Sequence, residues 1–171
     1  MSGNAYSEHL AIARTGEQAA LRGDHLTALA HYRDAIRLAV ASRSPDVFAR
    51  HYLEATLESL ELMGDFESVA EFCERAIAHY EVNPPKHGLA WLDLASIHQR
   101  KGIILLKQGK TEPAYATMGV AISTAARVPA TLPLCERLLD WHRRGLSVSA
   151  ERLLAEQRRL RYFSIRHNMD G

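Results

Sequence analysis

His51, Glu54, Glu58 and Glu61 follow one another at intervals of three, four and three residues. That spacing stacks side chains along one stripe of a helix. Three carboxylates and an imidazole on one stripe form a surface that attracts cations. The acidic character continues: Glu54, Glu58, Glu61, Asp65, Glu67, Glu71, Glu74 and Glu81 have only Arg75 as a basic counterweight between residues 54 and 81. Such a run suits a partner with a basic segment. The plainer reading is a solvated helix face. The other end of the chain is basic. From Trp141 to Gly171, seven arginines stand against Glu151, Glu156 and Asp170. In "QRRLRYFSIRH", Arg158, Arg159, Arg161 and Arg166 interleave with Tyr162 and Phe163. Basic residues with aromatics can contact phosphates and stack on bases. The plainer reading is a capping helix whose Tyr162, Phe163 and Ile165 pack inward while the arginines stay in water. A third reading is self-association, with this basic end meeting the acidic stretch of a neighbour.

Other chemistry is poorly supplied. Nine histidines are present, yet no H-E-x-x-H and no C-x-x-C occurs. Cys135 and His142 are seven residues apart and can share a helix face, but two ligands do not make a metal site. No nucleophile elbow and no glycine-rich phosphate loop is found. Trp91 and Trp141 lie in helical patterns as core or groove-wall residues. The expectation is a chain without cofactor or metal, and not an enzyme. The formal net charge is +1, so no global field draws the protein to nucleic acid or membrane. Two distant cysteines give at most one bridge, which fits a reducing compartment. The N-terminus lacks a basic n-region and a long apolar run. No stretch approaches the roughly 20 apolar residues that span a bilayer. A soluble, cytoplasmic protein is expected.

The elements that must carry these residues are helical and repeat. Ala, Leu, Glu and Arg dominate, and all favour helix. "GDHLTALAHYRDAI" at 23–36 recurs as "GDFESVAEFCERAI" at 64–77 and "GKTEPAYATMGVAI" at 109–122. Five residues beyond each glycine come Ala28, Val69 and Ala114; nine beyond, Tyr32, Cys73 and Met118. Twelve and thirteen beyond come Ala35, Ala76 and Ala121, then Ile36, Ile77 and Ile122. These offsets trace one face of a helix. Each glycine is placed to end the preceding helix at positive φ, and the residue after it can cap the next. An amphipathic stretch precedes each glycine. The units are therefore antiparallel helix pairs at about 5–43, 46–82 and 87–128, separated by proline-bearing connectors. A degenerate fourth unit of capping helices covers 131–167, turning at Gly145, with a last helix from about 148 to 166. The whole is read as one domain, 1–171.

Gly16 and Gly102 on the first helices, with Ala28, Tyr32, Ala35, Ala76, Ala114 and Ala121 on the second, resemble the tetratricopeptide repeat family. The likeness covers roughly 9–128. Leu57 stands where the other units have Gly16 and Gly102. The glycine spacings of 41 and 45 residues exceed the usual period of about 34, which is closer to long-helix members. The resemblance implies an all-α fold, a right-handed α-solenoid of three repeats plus C-terminal capping helices. It also implies a non-catalytic interaction module, an adaptor or dedicated chaperone that holds a partner peptide or helix in a concave groove.

By the same resemblance the first helices line that groove. Leu10, Ala13, Arg14, Glu17 and Leu21 contribute from the first unit. His51, Glu54, Glu58 and Glu61 contribute from the second. Ser96, Gln99, Arg100, Ile103 and Lys107 contribute from the third. Members that clamp a chaperone's C-terminal carboxylate use Lys and Asn at paired places, which here hold Ala13 and Glu17, Glu54 and Glu58, Gln99 and Ile103. That client is not expected. A protein or peptide partner with a basic segment is. Nucleic-acid binding through Arg158, Arg159, Arg161 and Arg166, and a self-assembling solenoid, stand as alternatives.

Overall fold

A computed structural model describes residues 2–167, with side chains described from residue 6 onward. The described residues form eight helices and no strand. These are α1 (Ser2–Leu21), α2 (His25–Ala41), α3 (Asp46–Met63), α4 (Phe66–Val82), α5 (Gly88–Lys107), α6 (Thr111–Ala125), α7 (Pro133–Arg143) and α8 (Ala150–Arg159).

Local chemistry explains the boundaries. Gly23 adopts φ of 81°, a left-handed conformation that costs an L-residue with a side chain about 1–2 kcal/mol. There the Gly23 amide donates to the Ala20 carbonyl and the Asp24 amide to the Ala19 carbonyl, both at 2.9 Å. These bonds satisfy carbonyls that the end of α1 would leave open. Asp24 then accepts the Thr27 amide at 3.3 Å and starts α2. Gly64, Gly109 and Gly145 turn in the same left-handed conformation. Pro133 opens α7, where a missing N–H removes no helical bond.

The chain forms two compact units. The first is built from the described residues of Met1–Asp65 and Phe163–Gly171, the second from Phe66–Tyr162. In the first unit α1 packs on α2, and α2 on α3. Gly16 allows the α1–α2 approach: a Cβ there would lie 2.8 Å from Tyr32 Cε1. Ala13, Ala35, Ala39 and Tyr52 form one buried cluster, and Ala19, Ala28, Tyr32 and Ala55 another. Small residues bring the backbones close, and the two tyrosines fill what remains. His9 is wholly buried beside them. Its Nδ1 lies 2.6 Å from the Tyr52 hydroxyl and its Nε2 3.1 Å from Ser44 Oγ. Burial depresses its pKa, which favours the neutral imidazole, a form that donates at one nitrogen and accepts at the other. It ties α1 to α3 and to the α2–α3 connector.

In the second unit α5 packs between α4 and α6, and α6 also meets α7. Gly102 repeats the role of Gly16: a Cβ there would lie 2.8 Å from Met118 Cγ and 3.2 Å from the Ala114 carbonyl oxygen. Ile103, Met118, Leu138, Trp141 and Leu153 belong to its core. Each large apolar side chain buried this way contributes roughly 1.5–3 kcal/mol. The boundary between the units falls at Asp65–Phe66, inside the helix pair whose first helix carries Leu57 in place of a glycine.

The last helix is shorter than the expected span of about 148–166. It stops at Arg159. Arg161 takes φ of 55°, and the Tyr162 amide donates to the Gln157 carbonyl at 2.8 Å. This is the same closure that the glycines make, built on an arginine. Beyond it the chain is not helical, and Phe163 is buried.

Candidate peptide-binding site

Glu58 lies on α3 and is only 2% exposed. A buried carboxylate is costly without hydrogen-bond donors. Two are supplied by backbone. The Ser164 amide donates to one oxygen of Glu58 at 2.6 Å, and the Ile165 amide to the other at 3.2 Å. Successive N–H groups converging on one anion are an efficient way to hold it, and bonds to a charged acceptor are stronger than neutral ones. The Ser164 side chain stays exposed, so the contact reads main chain. The Ile165 side chain is partly buried against the cluster of Ala19, Ala28, Tyr32 and Ala55. Arg166 donates to the Phe163 carbonyl at 3.2 Å and closes the bend.

Around this contact the first unit presents mixed polarity. Glu17 on α1 pairs with His51 on α3 at 3.5 Å. The Glu17 hydrogen bond holds the His51 pKa above its ordinary value, against the opposing effect of partial burial. Arg14 and Glu54 are exposed. Tyr32 on α2 is wholly buried and its hydroxyl makes no hydrogen bond. Burial chiefly, and then the nearby charges of Glu17 and Glu58, push its phenol far up. The α2–α3 side of the same unit carries a shallow apolar groove that includes Leu26, Leu29, Ile36 and Leu60, with Arg33 and Arg37 on it.

Several residues expected in a groove stand elsewhere. Ile103 is fully buried in the second unit's core, because α5 is covered by α4 on one side and α6 on another. Glu61 is 2% exposed, so it is not part of an open acidic stripe. Arg100 is nearly buried, with its guanidinium 5.6 Å from the Tyr162 ring centre. Gln99 and Lys107 are partly buried. Of the first-unit residues expected, Arg14, Glu17, His51 and Glu54 remain accessible, and Glu58 is occupied.

The basic C-terminal residues do not form the expected aromatic-interleaved surface. Arg158, Arg161 and Arg166 are exposed, but Arg159 is held by Glu156 at 2.7 Å. Phe163 is buried, and Tyr162 is partly buried beside Arg100, so neither presents a free face to a base. Cys135 is buried and its thiol is pushed up to about 12. His142 stacks on Tyr115 at 3.9 Å between ring centres. Among the described residues, no three His, Cys, Asp or Glu side chains are grouped to hold a metal ion. Among them too, no helix is long and apolar enough to cross a membrane.

The sequence pattern did not single out Ser164, and for Ile165 it gave only an inward-packing side chain; both act here through backbone N–H groups common to most residue types. One local signal does exist. Phe163 and Ile165, two apart, are the apolar residues of the segment, and both side chains turn inward. Comparison with protein-family models, curated proteins and solved structures finds no match to this chain.

Proposed function

We propose that this protein is a non-catalytic interaction module of the tetratricopeptide type, an α-solenoid that holds a partner's non-helical segment on the α1–α3 face of its first unit. The observation that carries this reading is the Glu58 carboxylate, buried on α3 and bound to two consecutive backbone N–H groups. A site that reads main chain in this way can accept a peptide from another protein. Glu17, Glu54 and His51 give its rim an acidic bias, which favours a basic segment.

The test is affinity capture from the native host with the full chain, followed by mass spectrometry. Charge reversal at the accessible rim, Glu17→Lys with Glu54→Lys, leaves the buried contact in place. Partners lost with the rim variant and retained with the wild type support the reading. An identical set of partners from both proteins removes the α1–α3 face from consideration.

A further inference from the structure

We propose that the segment Phe163–Arg166 is a resident ligand in cis at the Glu58 site, and that the external partner carries a segment of the same chemistry. The inference rests on the interaction-module reading above and names its ligand class. That class is a short bent segment with two consecutive free backbone N–H groups. An aliphatic side chain sits at the second of them, and a basic residue follows.

Each part of that description comes from a contact. Glu58 meets the amides of Ser164 and Ile165 and not their side chains, so a proline or N-substituted residue at either place is rejected. Ser164 projects outward, so its side chain is not selected. Ile165 packs against the cluster of Ala19, Ala28, Tyr32 and Ala55. That floor is mostly methyl groups and ring carbon, which suits an aliphatic group. Arg166 caps the bend through the Phe163 carbonyl, and Glu17 and Glu54 favour a positive charge nearby.

Two features make the tail a replaceable occupant. It is joined to α8 through Arg161, whose left-handed backbone is less favourable for arginine than for glycine. Beyond that turn the tail is not helical, and it meets the first unit at Glu58 and at the cluster beneath Ile165. The Glu58 charge also demands donors whichever segment supplies them. A segment tethered in cis acts at an effective concentration of about millimolar. A partner must therefore bind the open site well enough to outcompete it, so the tail sets a threshold for capture.

The experiment uses a fluorescently labelled peptide of residues 160–167 and full-length protein. Ser164→Pro in the protein removes one of the two backbone donors of the segment and releases the tail. The expected result is peptide binding by Ser164→Pro at least about tenfold tighter than by the wild type, as a millimolar tethered competitor requires. Adding Glu58→Gln to Ser164→Pro should weaken that binding at least about tenfold, and a peptide N-methylated at the serine and isoleucine should not bind. Ser164→Ala in the protein should behave as wild type. A second measurement does not depend on a folded proline variant: excess peptide added to wild-type protein should speed amide exchange at Ser164 and Ile165. A folded Ser164→Pro protein that takes up peptide no better than wild type overturns the proposal. So does unchanged exchange at both amides under saturating peptide. A concentration-dependent dimer that the peptide dissociates assigns the tail to a neighbouring copy and overturns the cis assignment. If partner capture depends on Glu17 and Glu54 while the peptide never binds, the tail proposal falls and the broader reading stands.

Discussion

The Ser164 amide lies 2.6 Å from a carboxylate oxygen of Glu58, across 106 residues of sequence. It is one of a pair, with the Ile165 amide completing the other oxygen at 3.2 Å. Replacing the carboxylate with an amide of the same shape keeps one acceptor and points N–H groups at the second donor. Glu58→Gln should therefore cost about 1–3 kcal/mol of stability in urea unfolding, the difference between charged and neutral hydrogen bonds at a buried place. The amides of Ser164 and Ile165 should exchange about tenfold faster or more, while those in the middle of α2 keep their relative protection. Equal exchange at the two amides in variant and wild type would show that Glu58 does not hold the segment.

The contrast between this contact and the helices explains what the sequence reveals. The helix ends at residues 23, 64, 109 and 145 are written locally, because glycine alone adopts φ near 80° cheaply and the bonds it closes lie within six residues. Tyr32 and Met118 are legible too, since a glycine opposite each leaves room for a large side chain. The Glu58 contact is not local, and its donors are backbone. Spacing places Glu54, Glu58 and Glu61 on one stripe but does not reveal that Glu58 and Glu61 are buried while Glu54 is exposed. Arg161 escapes notice because a left-handed arginine has no composition signal, and so the last helix reads as running seven residues past its true end at Arg159. Ile103 reads as a surface residue because periodicity finds one apolar face, whereas α5 is covered on two.

The small-residue contacts can be tested against one another. Gly16→Ala and Gly102→Ala each introduce a Cβ 2.8 Å from a buried side-chain atom. Overpacking of this kind costs about 1–3 kcal/mol, partly offset by roughly 1 kcal/mol of improved helix propensity. Both variants should lose stability in thermal melts. Gly119→Ala is the control: it lies within α6, and a Cβ there meets nothing within 4 Å. It should gain about 0.5–1 kcal/mol. A Gly102→Ala protein as stable as Gly119→Ala would contradict the close α5–α6 approach.

Both cysteines are buried and neither forms a disulfide, and the Cys135 thiol is pushed up to about 12 by burial with a further contribution from Glu136. Thiolate is the reactive form, so Cys135 should be inert to thiol reagents near neutral pH in the native protein. Titration with a chromogenic disulfide should give no reaction at Cys135 until denaturant is added, followed by full reaction. Rapid native labelling at Cys135 would place it in an opened part of the fold.

Acid should weaken the fold through His9. Burial lowers the folded pKa of His9 below the ordinary value of 6.5. Above pH 6.5 both folded and unfolded forms are neutral there, and the histidine costs nothing. Below it the unfolded chain binds a proton that the folded chain excludes, so stability falls as pH drops toward the folded value. The slope from one such group is at most about 1.4 kcal/mol per pH unit. His25 and His98 are lowered by burial in the same direction. His51 is raised by Glu17 and acts oppositely, stabilising below 6.5 and losing that effect as pH rises through its folded pKa; it is half-exposed, so solvent screens it. The sum should be a urea midpoint that falls between pH 7 and 5. Tyr52→Phe removes the 2.6 Å partner of His9 and should cost about 1–3 kcal/mol at pH 7. His9→Gln should flatten the acid slope relative to wild type. A midpoint that rises on acidification, or a slope unchanged by His9→Gln, would show that the buried imidazole is not the group that senses pH.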